Sequence, residues 1–201
     1  MRHNTEQIFK YSALTEYLVL VLPYAEIGEE IRDFKKEFFR NHGAYPGQNS
    51  CAHIRLISFF QMEDREEAVL SCIEDVVSKI DAFEVFLNGF GLDSEKRELY
   101  IDVLNKQSLI DIYHGLRMRL FEAFVSLSFL NGAYEPNLFI GRGLSPMQFI
   151  EAASEYKDRA YTNNFRISRV HVLKRKAPFR VWERLRDLPF AKSEGELLGF
   201  H

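Results

Sequence analysis

The sequence predicts an α+β protein whose antiparallel or mixed sheets are flanked by helices, and three observations support this class. Short apolar runs, rich in β-branched and aromatic residues, alternate with longer segments whose apolar residues recur every three or four positions. Two successive strand-like runs are separated only by a short polar turn, which is typical of a hairpin. No linker rich in glycine, serine or proline divides the 201 residues, so we expect a single domain over residues 1–201. The pattern contains about seven strands and four helices.

The first half of the chain contains two strand-to-helix units. The run YLVLVL ends at Pro23 and predicts a buried strand, because proline removes a donor from the sheet. The next segment predicts a helix that ends at Gly43 and places Lys35 away from its apolar stripe. That stripe comprises Ile27, Ile31, Phe34 and Phe38. The run AHIRLISFF over residues 52–60 predicts the second strand, and a second amphipathic helix follows it.

The middle of the chain predicts a hairpin and two capped helices. The runs FEVFLNGFG and RELYIDVL flank the turn LDSEK and form the hairpin. Ser108, with Asp111 three residues later, predicts the start of a third helix. In PNLFIGRGLSPMQF a short strand leads into a fourth helix, where Ser145 is the expected N-cap and Gln148 completes a capping box.

The end of the chain predicts two more strands. FRISRVHVLKR has the composition of one strand, and a last strand contains Trp182. His171 in the first of these either is exposed or reaches a cleft from a neighbouring strand. Residues 191–201 show little periodicity, so we expect a mobile tail there.

The composition excludes several classes of protein. With 46% hydrophobic residues, 27% charged residues and a net charge of −3, the chain is neither disordered nor strongly basic. A nucleic-acid partner would therefore have to meet a local basic patch. Cys51 and Cys72 are too few for a disulfide framework and favour a reducing, cytoplasmic location. There is no apolar span of about 20 residues, so no membrane association is expected, and no metal-binding or glycine-rich motif predicts a metal or cofactor.

The run AHIRL places a histidine and an arginine two residues apart. Because side chains alternate along a strand, His53 and Arg55 are expected on one face of the sheet. They form either a cationic site for an anion or two unrelated side chains at a sheet surface.

AHIRL and the later EPNLFIGRG are both short strands that begin with a polar residue and lead into a helix. Together they resemble the paired motifs of the two-histidine phosphoesterases, the group of 2′-5′ RNA ligases and cyclic nucleotide phosphodiesterases. Members of that family carry His-x-Thr/Ser on two strands that face each other across the cleft of a bilobal α+β fold. The resemblance runs from YLVLVLP to ISRVHVLKR and implies the same fold and phosphodiester chemistry. Pro136 and Arg142 are similar to the residues that surround the family's second motif.

The chain departs from the family at three of the four motif positions. His53 matches the first histidine, but Arg55 and Phe139 replace the two hydroxyl residues, and Asn137 replaces the second histidine. Asparagine donates hydrogen bonds but does not titrate, and the loss of one acid–base partner typically reduces a rate about 10²–10⁴-fold. Arg55 and Arg142 suit the binding of a phosphate, and Phe139 suits covering the pocket or stacking on a base.

Three functions follow from this pattern. The first is a binding protein for a phosphorylated small molecule, nucleotide or RNA end, with His53 and Asn137 as a degraded catalytic pair and with weak or no turnover. The second is an active phosphodiesterase that uses His53 with Arg55 and Arg142. The third is a non-catalytic interaction scaffold whose cleft is filled by side chains such as Phe139. For each residue a purely structural role is the alternative.

Overall fold

The structure, a computed structural model, describes residues 14–124, 128–129, 134–176 and 181–191. These residues form nine strands and four α-helices, which confirms the α+β class. In chain order the strands are β1 Leu14–Val21, β2 Ile54–Met62, β3 Phe83–Asp93, β4 Glu98–Val103, β5 Ser128–Phe129, β6 Leu138–Gly141, β7 Thr162–Ile167, β8 Arg169–Lys176 and β9 Glu183–Pro189. The helices are α1 Ala25–His42, α2 Glu66–Val77, α3 Gln107–Ala123 and α4 Pro146–Tyr156.

The strands form two sheets in which every pairing is antiparallel. One sheet has five strands in the order β5, β2, β1, β8, β9, and the other has four in the order β6, β4, β3, β7. The two motif strands therefore lie in different sheets, since β2 belongs to the first and β6 to the second. This is the two-lobed arrangement that the sequence predicted. The assignment of residues 1–201 to one domain stays a prediction.

The central strand β1 explains the run YLVLVL. It pairs with β2 on one side and β8 on the other, and Tyr17, Val19 and Val21 are fully buried. A strand that is paired on both edges and packed against other residues on both faces has no side that faces solvent. A continuous apolar run is therefore expected there. Helix α1 begins two residues after Pro23, with Tyr24 as its N-cap, and Gly43 is its C-cap, where the positive φ of 80° suits glycine.

Helix α1 corrects the predicted apolar stripe at one position. Its buried residues are Ile27, Ile31, Lys35 and Phe38, whereas Phe34 is only partly buried. The prediction that Lys35 lies away from the stripe is therefore wrong. Its place follows from spacing, because a residue four positions after Ile31 returns to the same helix face.

The two capping predictions have different outcomes. The box at α4 is confirmed: the Ser145 hydroxyl accepts from the Gln148 backbone N–H at 3.2 Å, and the Gln148 side chain accepts from the Ser145 N–H at 3.1 Å. Ser108 is not a cap, because α3 begins one residue earlier, at Gln107. The Asp111 carboxylate accepts instead from the Gln107 side chain at 2.7 Å.

The nine strands exceed the predicted seven by two, of which one is β5 and the other comes from the end of the chain. FRISRVHVLKR is not one strand but two: β7 joins the four-stranded sheet, Ser168 breaks the pairing, and β8 joins the five-stranded sheet. Trp182 lies just before β9 rather than within it. The predicted hairpin is confirmed by the pairing of Asp93 with Glu98 across β3 and β4. Beyond residue 191, the predicted tail lies outside the described residues.

One hydrophobic cluster draws residues from both sheets and from all four helices. None of the described helices is both long enough and apolar enough to cross a bilayer.

Candidate functional site

His53 lies immediately before β2, at the point where the loop after α1 enters the five-stranded sheet. Its Nδ1 is 2.9 Å from the Cys51 carbonyl oxygen, which only accepts hydrogen bonds, so Nδ1 carries the proton. Within the described part of the chain, Nε2 has no hydrogen-bond partner. The lone pair of Nε2 is therefore free to take a proton.

A pocket of about 240 Å³ brings His53 together with the second motif. Phe139, Ile140 and Arg142, from β6 and the residue that follows it, form part of its wall. The remaining lining residues come from α1 and the loop before β2, and they are Lys35, Pro46, Gly47 and Ser50. The structure thus places three of the five residues predicted for the site, His53, Phe139 and Arg142, around one cavity.

Arg55 lies on β2, opposite Leu20 of β1, and does not line this pocket. Its side chain is partly buried, yet it makes no hydrogen bond or ion pair with any described residue. Burial lowers the pKa of Arg55, and repulsion by Arg142 acts in the same direction. Tyr134 and the Glu98 carboxylate oppose this shift, and the Tyr134 hydroxyl is buried without a partner among the described residues. Arg55 therefore forms no direct ion pair with a described residue, and the nearby Glu98 carboxylate is already bonded to Arg142.

Arg142 is held by two contacts at the end of β6. Its Nε donates to the Glu98 carboxylate at 2.9 Å, and its guanidinium lies 4.2 Å from the centre of the Phe139 ring. Glu98 is buried, whereas 44% of the Arg142 side chain is exposed. The pair fixes one edge of the guanidinium and leaves its other nitrogens available to a ligand.

Asn137 is in a different position from the one that the resemblance implied. It lies just before β6, is only 4% exposed and is not among the residues that line the pocket, although β6 supplies part of the wall. Its Oδ1 is buried and accepts no hydrogen bond from any described residue. A buried amide with an unpaired acceptor is uncommon, because such a group loses its hydration without replacement.

Lys35 is the residue of the site that the sequence reasoning missed. It is 3% exposed, and its Nζ donates to the Ser50 carbonyl at 2.9 Å and to the Ser50 hydroxyl at 2.8 Å. A third contact, to the Gly47 carbonyl, is 3.5 Å long. Burial lowers the pKa of Lys35 to about 8. The sequence did contain a signal for this burial, because Lys35 is four residues after Ile31 and therefore lies on the same buried face of α1 despite its charge.

The electrostatics of the pocket favour a neutral His53. Burial lowers the pKa of His53 below its ordinary value, and the positive charges of Lys35, Arg55 and Arg142 lower it further, against the opposing effect of the Cys51 carbonyl. A neutral imidazole with Nε2 free serves as a base or an acceptor, not as an acid. The site therefore combines one base with three cations.

His171 lies outside the pocket. It is buried on β8, and its Nδ1 is 2.8 Å from the Asp187 carboxylate on β9, the residue with which it is paired across the sheet. It is therefore largely buried, and it does not line the pocket.

Comparison with known proteins gives a consistent result. The family model of the 2′-5′ RNA ligase superfamily matches residues 23–178. No protein of curated function matches this sequence.

Solved structures with similar folds include TT0787 of Thermus thermophilus, with a TM-score of 0.66 and 12% identity over 87% of this chain and 97% of that one. E. coli LigT in complex with 3′-AMP has a TM-score of 0.61 and 12% identity over 90% of this chain and 99% of LigT. A further structure, described as a phosphoesterase, has a TM-score of 0.62 and 13% identity over 89% and 99%. At these identities the likeness establishes the fold.

Proposed function

This chain belongs to the 2′-5′ RNA ligase superfamily, and we propose that it binds a phosphorylated ligand, a nucleotide or an RNA end, with weak or absent phosphodiesterase turnover. The observation that carries the proposal is the unbalanced positive charge around His53. Lys35 and Arg55 form no ion pair with any described residue, and Arg142 forms an ion pair with Glu98. Such a site attracts an anion, and guanidinium groups match the oxygens of a phosphate.

The fold of the neighbours supports the class of ligand. LigT structures contain 3′-AMP, ATP, NADP+ and phosphate, all of which carry phosphate groups. A pocket of about 240 Å³ accommodates a phosphate with its attached sugar more readily than a whole dinucleotide. We therefore place the phosphate in this pocket and the rest of the ligand outside it.

The chemistry of the two motif positions supports low turnover. Transfer of a phosphoryl group between oxygens needs one group to take a proton and another to give one. His53 fits the first role, because a lowered pKa keeps it neutral and its Nε2 has no partner among the described residues. Asn137 does not supply the second role, because an amide does not titrate and this one is buried and does not line the pocket.

Residual activity is the second candidate, and the free Nε2 of His53 is the observation that favours it. In that case His53 is the base, while Arg55 and Arg142 stabilise charge on the phosphate. The third alternative, an interaction scaffold whose cleft is filled by side chains, has less support. Phe139 lies against Arg142 and leaves the cavity open.

Calorimetric titration separates these functions. We expect saturable binding of 2′,3′-cyclic AMP and of a short RNA with a 3′-phosphate, and much weaker binding of the same RNA without its phosphate. Hydrolysis of the cyclic nucleotide is measured on the same samples, with His53→Ala as the control for catalysis. The absence of binding to every phosphorylated ligand would reject the proposal.

The compartment is a further part of the proposal. Cys51 and Cys72 are both free thiols, which is consistent with a reducing compartment, and we infer a cytoplasmic location.

A further inference from the structure

Lys35 occupies a position where a lysine is unfavourable. It lies within the apolar stripe of α1, between Ile31 and Phe38, and only 3% of the residue is exposed. Its ammonium contacts neutral oxygens of Ser50 and Gly47, and no carboxylate of the described residues forms an ion pair with it. Burial of a charge without a counterion is destabilising, so its presence here requires a reason.

The place of Lys35 in the wall of the pocket supplies that reason. Lys35 lines the cavity from the side of α1, and Arg142 lines it from the side of β6. We propose that Lys35 is an anion-binding residue of this pocket, which holds the phosphate group of the ligand from the α1 side. This inference rests on the proposed function and adds to it the residue that sets the preference for a phosphate.

The hydrogen bonds of Lys35 leave room for this contact. Two ammonium protons are used in the short bonds to Ser50, whereas the Gly47 carbonyl oxygen is 3.5 Å away, which is long for a hydrogen bond. That carbonyl already accepts from the Ser50 hydroxyl at 2.7 Å. The third proton of the ammonium is therefore weakly committed and available to an oxygen of the ligand.

A purely structural role is the alternative, since the same bonds hold the loop before β2. The two roles differ in their dependence on charge, because only an anion-binding residue stops working when it loses its proton. The low pKa of Lys35, about 8, brings this loss into the range of an ordinary assay.

The other titratable groups near Lys35 do not change their charge in the pH range in which Lys35 loses its proton, apart from Cys51, which is replaced. The Tyr45 hydroxyl, which donates to the Lys35 carbonyl at 3.2 Å, has a pKa raised far above this range by burial. The pKa of His53 is lowered by burial, so its imidazole stays neutral above pH 7. Arg142 is the other charged side chain that lines the pocket among the described residues. Cys51 interacts electrostatically with Lys35, so the experiment is performed on the Cys51→Ser protein.

The test is calorimetric titration with adenosine 3′-phosphate between pH 7.5 and 9.5, where this ligand keeps a constant charge because its second pKa is about 6. For Cys51→Ser we expect affinity to fall about tenfold over this range as Lys35 loses its proton. Adding Lys35→Met is expected to reduce the affinity at pH 7.5 about ten- to a hundredfold and to remove the pH dependence. Lys35→Arg, which keeps its charge, is expected to bind with little dependence on pH.

Any other result of this titration rejects the proposed role of Lys35, and the results can be told apart. Unchanged affinity in Lys35→Met, or a loss of affinity that keeps the same pH dependence, assigns Lys35 to the loop alone. If Lys35→Met does not fold, as judged by its thermal melting, a flat pH profile of Cys51→Ser is sufficient to reject the inference. If the protein with Lys35 intact binds no ligand at pH 7.5, the proposed function fails first, and this inference fails with it.

Discussion

Replacement of Arg55 by methionine is expected to have opposite effects on stability and on binding. Arg55 makes no hydrogen bond or ion pair with the described residues, and Arg142 repels it. Methionine keeps most of the aliphatic stem and removes the charge. The unliganded variant therefore loses no polar contact and gains relief from repulsion, so its free energy of unfolding should be unchanged or higher by up to about 1 kcal/mol.

The effect on binding follows from the charge of Arg55, which does not line the pocket but is close enough to lower the pKa of His53 and therefore attracts a phosphate bound beside that residue. The attraction between unit charges about 8–16 Å apart is about 1–2 kcal/mol at an effective dielectric constant of about 20, so the variant should bind adenosine 3′-phosphate about 5- to 30-fold more weakly. At a ligand concentration of 100 times the dissociation constant, the wild type gains about 2.7 kcal/mol of stability. A variant that binds 30-fold more weakly gains only about 0.9 kcal/mol at the same concentration.

Thermal unfolding with and without ligand measures both effects. The matched control is Arg32→Met, since Arg32 is an exposed arginine on α1 that pairs only with Glu29 among the described residues. The control should melt and bind like the wild type. If Arg55→Met is less stable than the wild type by more than about 1 kcal/mol and binds with unchanged affinity, Arg55 is a structural residue and the reasoning is refuted.

Three further predictions concern the other residues of the site. Asn137→His adds a titratable group at a buried position that does not line the pocket, so hydrolysis of 2′,3′-cyclic AMP should stay at the wild-type level; a rise of about 10²–10⁴-fold that His53→Ala removes would contradict this placement of residue 137. NMR of the imidazole nitrogens should find His53 neutral at pH 7 with the proton on Nδ1, and its pKa should rise in Arg55→Met; a protonated ring at pH 7 would be incompatible with the assigned base. The pKa of Lys35 is about 8 in the folded protein and 10.5 as its ordinary value in an unfolded chain. Between these two pH values the lysine is therefore protonated in the unfolded chain and neutral in the folded protein. Urea unfolding should therefore show wild-type stability rising relative to Lys35→Met from pH 8 to 10, by up to about 3 kcal/mol, and a constant difference would contradict the burial of a charged lysine.

Local patterns predicted two elements correctly and missed the start of α3, which begins at Gln107. The capping box at Ser145 and the hairpin between β3 and β4 depend on neighbouring residues, and the sequence predicted both. The division of FRISRVHVLKR into β7 and β8 was not predictable in this way. Ser168, which separates them, is neither glycine nor proline, and the change of sheet is decided by long-range pairing.

The candidate site was predicted in part. The resemblance of the two motifs indicated that His53 and the residues around Phe139 would meet, and one pocket contains them. Lys35 was missed because a charged residue was assigned to the solvent side of its helix. The burial of Asn137 was also missed, since an asparagine after a proline is typical of an exposed turn.

The most direct test of the central claim is a calorimetric titration of the wild-type protein at pH 7 with adenosine 3′-phosphate and, separately, with adenosine. If the cationic pocket holds a phosphate, adenosine 3′-phosphate should bind saturably with one molecule per chain, and adenosine should bind at least tenfold more weakly. Equal affinities for the two ligands, or no binding of the phosphorylated one, would contradict the account.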